Sequence, residues 1–279
     1  MLQRVIASAT PWVSAAIRPL LAHTYLFDVN TGEERFKLTP SDTLRIDVFF
    51  GVSVAIRGST AIVGAYEDDT SGTVSGSAYV FDVATGAQRH KLTATDAAPG
   101  DKFGTSVAIS GNIAIVGASG DDDAGSDSGS AYLFNLTTGQ QLHKLTALDA
   151  AARDEFGRSA GISGNTAIVG SFGDDHAGER SGSVYLFDVS TGEQRLKLTA
   201  SDAAAGDWFG HSVGISGNTA IVGAFNDDDA GGNSGSAYVF IPEPTALTLA
   251  TLALLGFAAR RRRRPSTSPA RVARKGERY

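Results

Sequence analysis

The chain has 279 residues, a formal charge of −6, no Cys and 33 Gly, a glycine share of roughly 12% where about 7% is usual, so turns must be frequent. Its 42% hydrophobic content supplies a core and excludes a disordered polymer, and the lack of Cys excludes disulfide scaffolds, thiolate zinc sites and cysteine nucleophiles. The charge is split: residues 260–279 hold nine Lys/Arg and one Glu, a tail of +8 set against −14 for everything before it, and so acidic a body repels phosphates, which excludes a nucleic-acid partner.

Residues 1–24 carry Arg4, an apolar stretch and Ala22 as a small cleavage position, but Pro11 and Arg18 interrupt it, so they read as a poor signal-like or truncated segment. From residue 25 the chain repeats itself. Phe50-Gly51, Phe103-Gly104, Phe156-Gly157 and Phe209-Gly210 are each 53 residues apart. In the same register follow Val63-Gly64-Ala65, Val116-Gly117-Ala118, Val169-Gly170-Ser171 and Val222-Gly223-Ala224, then the pairs Tyr79/Phe81, Tyr132/Phe134, Tyr185/Phe187 and Tyr238/Phe240. One copy predicts four short strands: Ser106 to Ser110, Ile113 to Ala118, Ser130 to Asn135 and Gln141 to Thr146.

These runs are apolar without sustained polar alternation, as expected when both faces of a sheet are covered. A period near 50 residues with four strands per copy predicts an all-β fold, a β-propeller of four-stranded antiparallel blades with four full repeats and a partial N-terminal one. Tyr25 to Asp28 and Glu34 to Thr39 repeat the third and fourth strands, while the last copy lacks its fourth after Phe240. Either the array is incomplete or Glu34 to Thr39 pairs onto the last sheet and closes it.

With Phe-Gly, Val-Gly-Ala and Ser-Gly-Ser-Ala-Tyr-Val-Phe in order, residues 25–241 resemble FG-GAP repeat proteins, the family of the integrin α-subunit propellers. The resemblance implies an extracellular binding or adhesion surface. It also draws attention to calcium, but the loop between strands one and two, where integrin-like repeats carry Asp, reads Ser110-Gly111-Asn112 and its equivalents. From the residues themselves, the Phe reads as a plug between blades and the Gly as the small residue that permits close backbone approach.

Acid density lies instead between strands two and three: Asp68-Asp69, Asp121-Asp122-Asp123, Asp174-Asp175 and Asp227-Asp228-Asp229. In an antiparallel meander these links emerge at the same end as the four-to-one links, which hold Asp96, Asp101, Asp149, Asp154, Asp202 and Asp207. One face is therefore acidic. Hard divalent cations take oxygen ligands, so calcium is the candidate metal for the Asp clusters; the competing reading is that they form solvated turns. Gly157-Arg-Ser-Ala-Gly161 and Gly210-His-Ser-Val-Gly214 spell a nucleophile elbow, yet no helix follows and the Ser is the repeat's small residue. No catalytic residue is expected.

After the last strand come Pro242, Glu243 and Pro244, the uncharged span Thr245 to Ala259, and the cluster Arg260, Arg261, Arg262, Arg263 and Arg264. Fifteen residues of helix cover about 22 Å against a hydrocarbon core of about 30 Å, which suits transient inner-membrane anchoring better than permanent spanning. The positive-inside rule keeps the Arg cluster cytoplasmic and places the repeats on the far side. This segment, residues 242–264, resembles a PEP-CTERM sorting signal, which implies recognition of Pro242, Glu243 and Pro244 by an exosortase-type membrane protease. Residues 265–279 form a basic extension expected to be disordered. The sequence thus predicts a non-enzymatic, exported protein of the cell surface or extracellular matrix that binds a glycan or protein. The alternatives are a structural matrix component without a ligand and, last, a secreted hydrolase.

Overall fold

The computed structural model describes residues 4–5, 14–18, 23–42 and 49–241. Described residues form antiparallel sheets and no helix. The first sheet holds β1 (Arg4–Val5), β2 (Ser14–Arg18), β3 (His23–Phe27) and β4 (Glu34–Leu38); the second β5 (Ser53–Arg57), β6 (Thr60–Ala65), β7 (Ser77–Asp82) and β8 (Gln88–Leu92). The third holds β9 (Phe103–Ser110), β10 (Ile113–Ala118), β11 (Ser130–Asn135) and β12 (Gln141–Leu145); the fourth β13 (Ser159–Ser163), β14 (Thr166–Ser171), β15 (Ser183–Asp188) and β16 (Gln194–Leu198). The last is three-stranded, β17 (Phe209–Ser216), β18 (Thr219–Ala224) and β19 (Ser236–Phe240). Every sheet is a meander, and the first strands β5, β9, β13 and β17 stand side by side as the inner strands of successive propeller blades.

Each hydrophobic core lies between two blades. Ile62, Val80 and Leu92 of the second blade pack with Phe103, Val116 and Tyr132 of the third, and Ile115, Leu133 and Leu145 of the third pack with Phe156, Val169 and Tyr185 of the fourth. Neighbouring residues along one strand therefore face opposite cores, which is why the strands carry no polar alternation. The repeat Phe is the plug expected: Phe103, Phe156 and Phe209 are fully buried, and each meets two aromatic rings of its own blade, as Phe156 does Tyr185 at 5.6 Å and Phe187 at 5.8 Å.

The glycines set the distance between blades. A Cβ on Gly117 would lie 1.9 Å from the carbonyl oxygen of Gly157 in the next blade, and one on Gly64 or Gly170 would lie 2.0 Å from the same atom of Gly104 or Gly210. Beside each contact, Ser53, Ser106 and Ser159 donate their hydroxyls across the blade boundary to those carbonyls at 2.7 Å.

The chain ends differ from one expectation. Glu34 to Thr39 does not complete the last sheet: β4 pairs with β3 through Tyr25↔Lys37 and Leu26↔Phe36, and Leu26 and Leu38 are buried against the second blade. Within the stretch that reads as signal-like, β1 and β2 extend this sheet to four strands. The short hairpin through Thr31-Gly32 makes β3 the nearest partner for β4, which explains the choice. Among the described residues the array is accordingly open, with β19 at its unpaired edge.

The steric reading predicts that Gly117→Ala lowers stability by about 2–4 kcal/mol. Gly111→Ala, in a turn with open space around it but φ at +58°, should cost only about 1 kcal/mol. Denaturant unfolding of the two variants separates the effects, and equal losses would count against a backbone-contact role for Gly117.

Candidate functional site

The link between the second and third strands of each blade begins at an acid that the fold buries: Asp68, Asp121, Asp174 and Asp227 are 2–4% exposed. Buried carboxylates need partners. The first comes from the third strand, where the Tyr79, Tyr132 and Tyr185 hydroxyls donate to Asp68, Asp121 and Asp174 at 2.5, 2.8 and 2.8 Å. The second comes from the fourth strand, whose Lys reaches back over that ring. Lys144 Nζ stands 2.9 Å from Asp121, 2.7 Å from Asp96 and 2.6 Å from Asp123, and 5.4 Å from the Tyr132 ring centre. Lys197 contacts Asp174 and Asp149 at 2.9 and 2.7 Å; Lys91 contacts Asp68 and Asp42 at 3.2 and 2.6 Å.

These contacts govern titration. Burial opposes ionisation of Asp174, but hydrogen bonds from Lys197 and then Tyr185 outweigh it and hold the carboxyl below its ordinary range. At Asp68, Thr70, Tyr79 and Lys91 do the same against burial. Lys144 is raised by Asp123, Asp96 and Asp121 in spite of its own burial. Asp101 and Asp154 behave oppositely: each accepts one backbone N–H, from Ala98 at 2.7 Å and Ala151 at 2.8 Å, and burial pushes both up to about 6.

The other cluster members stitch the loops. Asp69, Asp122 and Asp175 each accept the backbone N–H five residues on, at 2.7 Å, and the donating residues Val74, Asp127 and Arg180 hold left-handed φ values of 52–59°. Backbone bonds such as Gly120 N–H to Asp101 O and Phe103 N–H to Ser75 O tie these loops to the four-to-one links, so the two sets share one face, as the meander requires. Asp228 is exposed there. The three carboxylates of Asp96, Asp121 and Asp123 offer oxygens within 4.8 Å of one another, the spacing of a cation site, and their shared neighbour is the Lys144 ammonium.

A second feature of this face escaped the sequence reading. The inner strands enclose a groove of ≈ 270 Å³ whose wall takes Val52, Thr105, Arg158 and His211 from the same register of four repeats. They differ in every copy, as do Phe49, Lys102, Glu155 and Trp208 just before each Phe-Gly, all at φ 48–59°. Trp208, His211 and Phe225 stack at 5.2–6.1 Å, with Phe172 against Trp208 and His211. Burial, then Arg158, holds the His211 imidazole below its ordinary pKa, so it is neutral near pH 7. Comparing copies column by column for the positions that diverge would have found this groove.

The nucleophile-elbow Ser159 gives its hydroxyl to the Gly210 carbonyl rather than to a base. The lysines and tyrosines were visible as repeating letters, but their union with the buried Asp was not. The sorting residues Pro242, Glu243, Pro244 and Arg260 to Arg264 lie outside the described residues. Among described residues, no helix is long and apolar enough to cross a membrane.

Comparison with known proteins agrees with this geometry. An FG-GAP repeat profile matches residues 33–81, 87–134, 140–187 and 193–240, and a PEP-CTERM protein-sorting motif matches residues 240–263. Each matched repeat contributes the fourth strand of one blade and the first three of the next. No curated protein matches the chain. Among solved structures it is similar to hydrazine synthase of Kuenenia stuttgartiensis, with a TM-score of 0.57 and 13% identity over 83% of this chain and 60% of that one. At that identity the likeness is one of fold, and the chain spans 60% of the other's length.

Lys144→Met is expected to cost about 2–4 kcal/mol, because it strands the buried Asp121 charge, and Asp121→Asn in the same chain should restore part of the loss. Raised and lowered carboxyls have opposite linkage signs. Stability from Asp68 and Asp174 falls away as pH drops below the ordinary carboxylate value, whereas that from protonated Asp101 and Asp154 is lost as pH rises through about 6. Asp101→Asn should therefore raise the melting temperature at pH 8 relative to the native chain and leave it unchanged at pH 4, which thermal unfolding across that range would check.

Proposed function

The chain belongs to the FG-GAP repeat family, and from that premise we propose that it is an exported, non-enzymatic propeller that recognises a glycan or protein outside the cell. The observation that carries this is the direct fusion of four FG-GAP repeats to a PEP-CTERM sorting motif. The motif points to export through the exosortase system and to processing by that membrane enzyme. Residues 245–259 then serve as the passing anchor, and release leaves the propeller at the surface or in the matrix.

Recognition falls to the mouth of the axial groove. An ordinary blade position repeats in every copy because every blade must pack alike, whereas Arg158, Trp208 and His211 stand where the copies diverge. Together they offer a cation, stacking rings and a neutral imidazole within an acidic rim, a mixture suited to sugar rings or mixed peptide surfaces. The hydroxyl of Ser159 is spent on a backbone carbonyl, which supports a binding role over hydrolysis. Calcium is not needed by this reading in the complete blades, where a lysine ammonium stands among the carboxylates.

Purified chain should bind extracellular polysaccharide or matrix protein from a producing strain saturably and without turnover. Arg158→Ala or His211→Ala should weaken that binding at least tenfold with an unchanged melt. Hydrolysis products, or no effect of either substitution, would overturn the assignment of the groove. Glu243→Ala should leave the chain unprocessed in the membrane fraction, read by its retained C-terminal mass.

A further inference from the structure

The last blade repeats the cation-holding arrangement of the third without its cation. Asp202, Asp227 and Asp229 stand in the register of Asp96, Asp121 and Asp123. The Tyr238 hydroxyl lies 2.9 Å from Asp202 and 2.7 Å from Asp227, as its counterparts do in complete blades. Three preceding blades each place a lysine ammonium on the equivalent carboxylates, at 2.6–3.2 Å. Among the described residues no ammonium meets Asp202, Asp227 or Asp229. The charge of Asp227, then that of Asp202, pushes the Asp229 carboxyl up.

Among the described residues, the sheet also holds no strand that would bring the cation: β19 pairs only with β18, whereas β11 and β15 each carry a fourth strand on the corresponding side. The chain's own continuation has the wrong letters for the task. The fourth blade follows its third strand with Asp188-Val-Ser-Thr-Gly192-Glu-Gln-Arg-Leu-Lys197-Leu198, in which Asp188 caps Ser190 and Thr191 N–H and Gly192 takes φ +75°. In the same register the chain reads Ile241-Pro-Glu-Pro-Thr245-Ala-Leu-Thr-Leu-Ala250-Thr251. It thus lacks the capping Asp, two N–H groups, the glycine and the lysine, and belongs to the sorting motif.

We infer that the open edge of the last blade is a docking site for an extended lysine-bearing segment of another polypeptide, which adds beside β19 and sets its ammonium among Asp202, Asp227 and Asp229. By the register of the fourth blade, where Tyr185 faces Lys197 and Val184 faces Leu198, that lysine pairs with Tyr238 and an apolar residue after it faces Ala237. Main-chain bonds to the edge supply affinity and the lysine supplies selection. The inference deepens the reading of the chain as a binding protein by naming a partner chemistry, but its site is distinct from the axial groove.

The test uses the full chain and a fluorescent peptide with the sequence of residues 188–200. Saturable binding is expected, at least tenfold weaker for the peptide with Lys197→Met and lost for the chain with Asp227→Asn. The altered peptide leaves the protein untouched, so its effect does not depend on whether the variant folds. No binding, or equal binding of both peptides, overturns the inference. So does a melt raised by calcium through Asp227 in a chain that ignores the peptide, which would make the site a metal site. A stable dimer by light scattering that excludes the peptide overturns it in favour of a second copy. Failure of the unaltered chain to bind polysaccharide or matrix protein, with peptide binding intact, would sink the groove assignment and leave this one standing.

Discussion

The spacing between blades rests on a backbone-to-backbone contact that only glycine allows. The carbonyl oxygens of Gly104, Gly157 and Gly210 occupy the volume that a Cβ on the preceding blade's Val-Gly glycine would need, at 1.9–2.0 Å. Because the sheets approach so closely on the inner side, the Phe beside that glycine enters the core between them and meets the Tyr and Phe of its own third strand. The motif is thus a single device: glycine sets the distance, phenylalanine fills what remains, and the serine hydroxyl bridges the seam.

Close packing of apolar blades leaves the loops on one face to handle polarity, and they do so by burying a carboxylate. An isolated buried Asp would be prohibitive. The repeat solves this with two groups from successive strands of the same sheet, a tyrosine hydroxyl and a lysine ammonium lying over that tyrosine's ring. The ammonium also reaches an acid in the link arriving from the previous blade. The network therefore ties the fourth strand to the loop face of its own blade, and a blade without that strand keeps the acids and loses their counter-charge.

The architecture was legible because it is repeated. Four copies at one spacing gave strand number, antiparallel order, the Phe plug and the shared face of two loop sets, each of which follows from period and alternation. The Asp clusters were harder. Their letters suit a hard cation or a solvated turn equally well, and what neutralises the buried member in a complete blade is a lysine some 20 residues later in sequence that lies beside it only once the fourth strand is laid down. The fate of Glu34 to Leu38 was likewise undecidable from pattern, since the same strand fits two sheets and only the short hairpin to β3 separates them. The diverging residues of the groove were overlooked for a different reason: a search for sameness discards the columns in which copies differ.

Those columns nevertheless carry the functional argument. In a tandem array every repeat is under the same packing demands, so Gly117 and Tyr132 have counterparts that cannot change independently of the fold. Arg158 and His211 line the axial groove beside Val52 and Thr105, and no symmetry forces these four to resemble one another. Asymmetry at the axis and symmetry in the walls are two consequences of the same geometry. On the proposed reading the groove recognises its ligand where the blades are free to differ, and the left-handed backbone at Phe49, Lys102, Glu155 and Trp208 presents those differing side chains beside the rigid Phe-Gly seam. Divergence and rigidity thus occupy adjacent residues in every repeat.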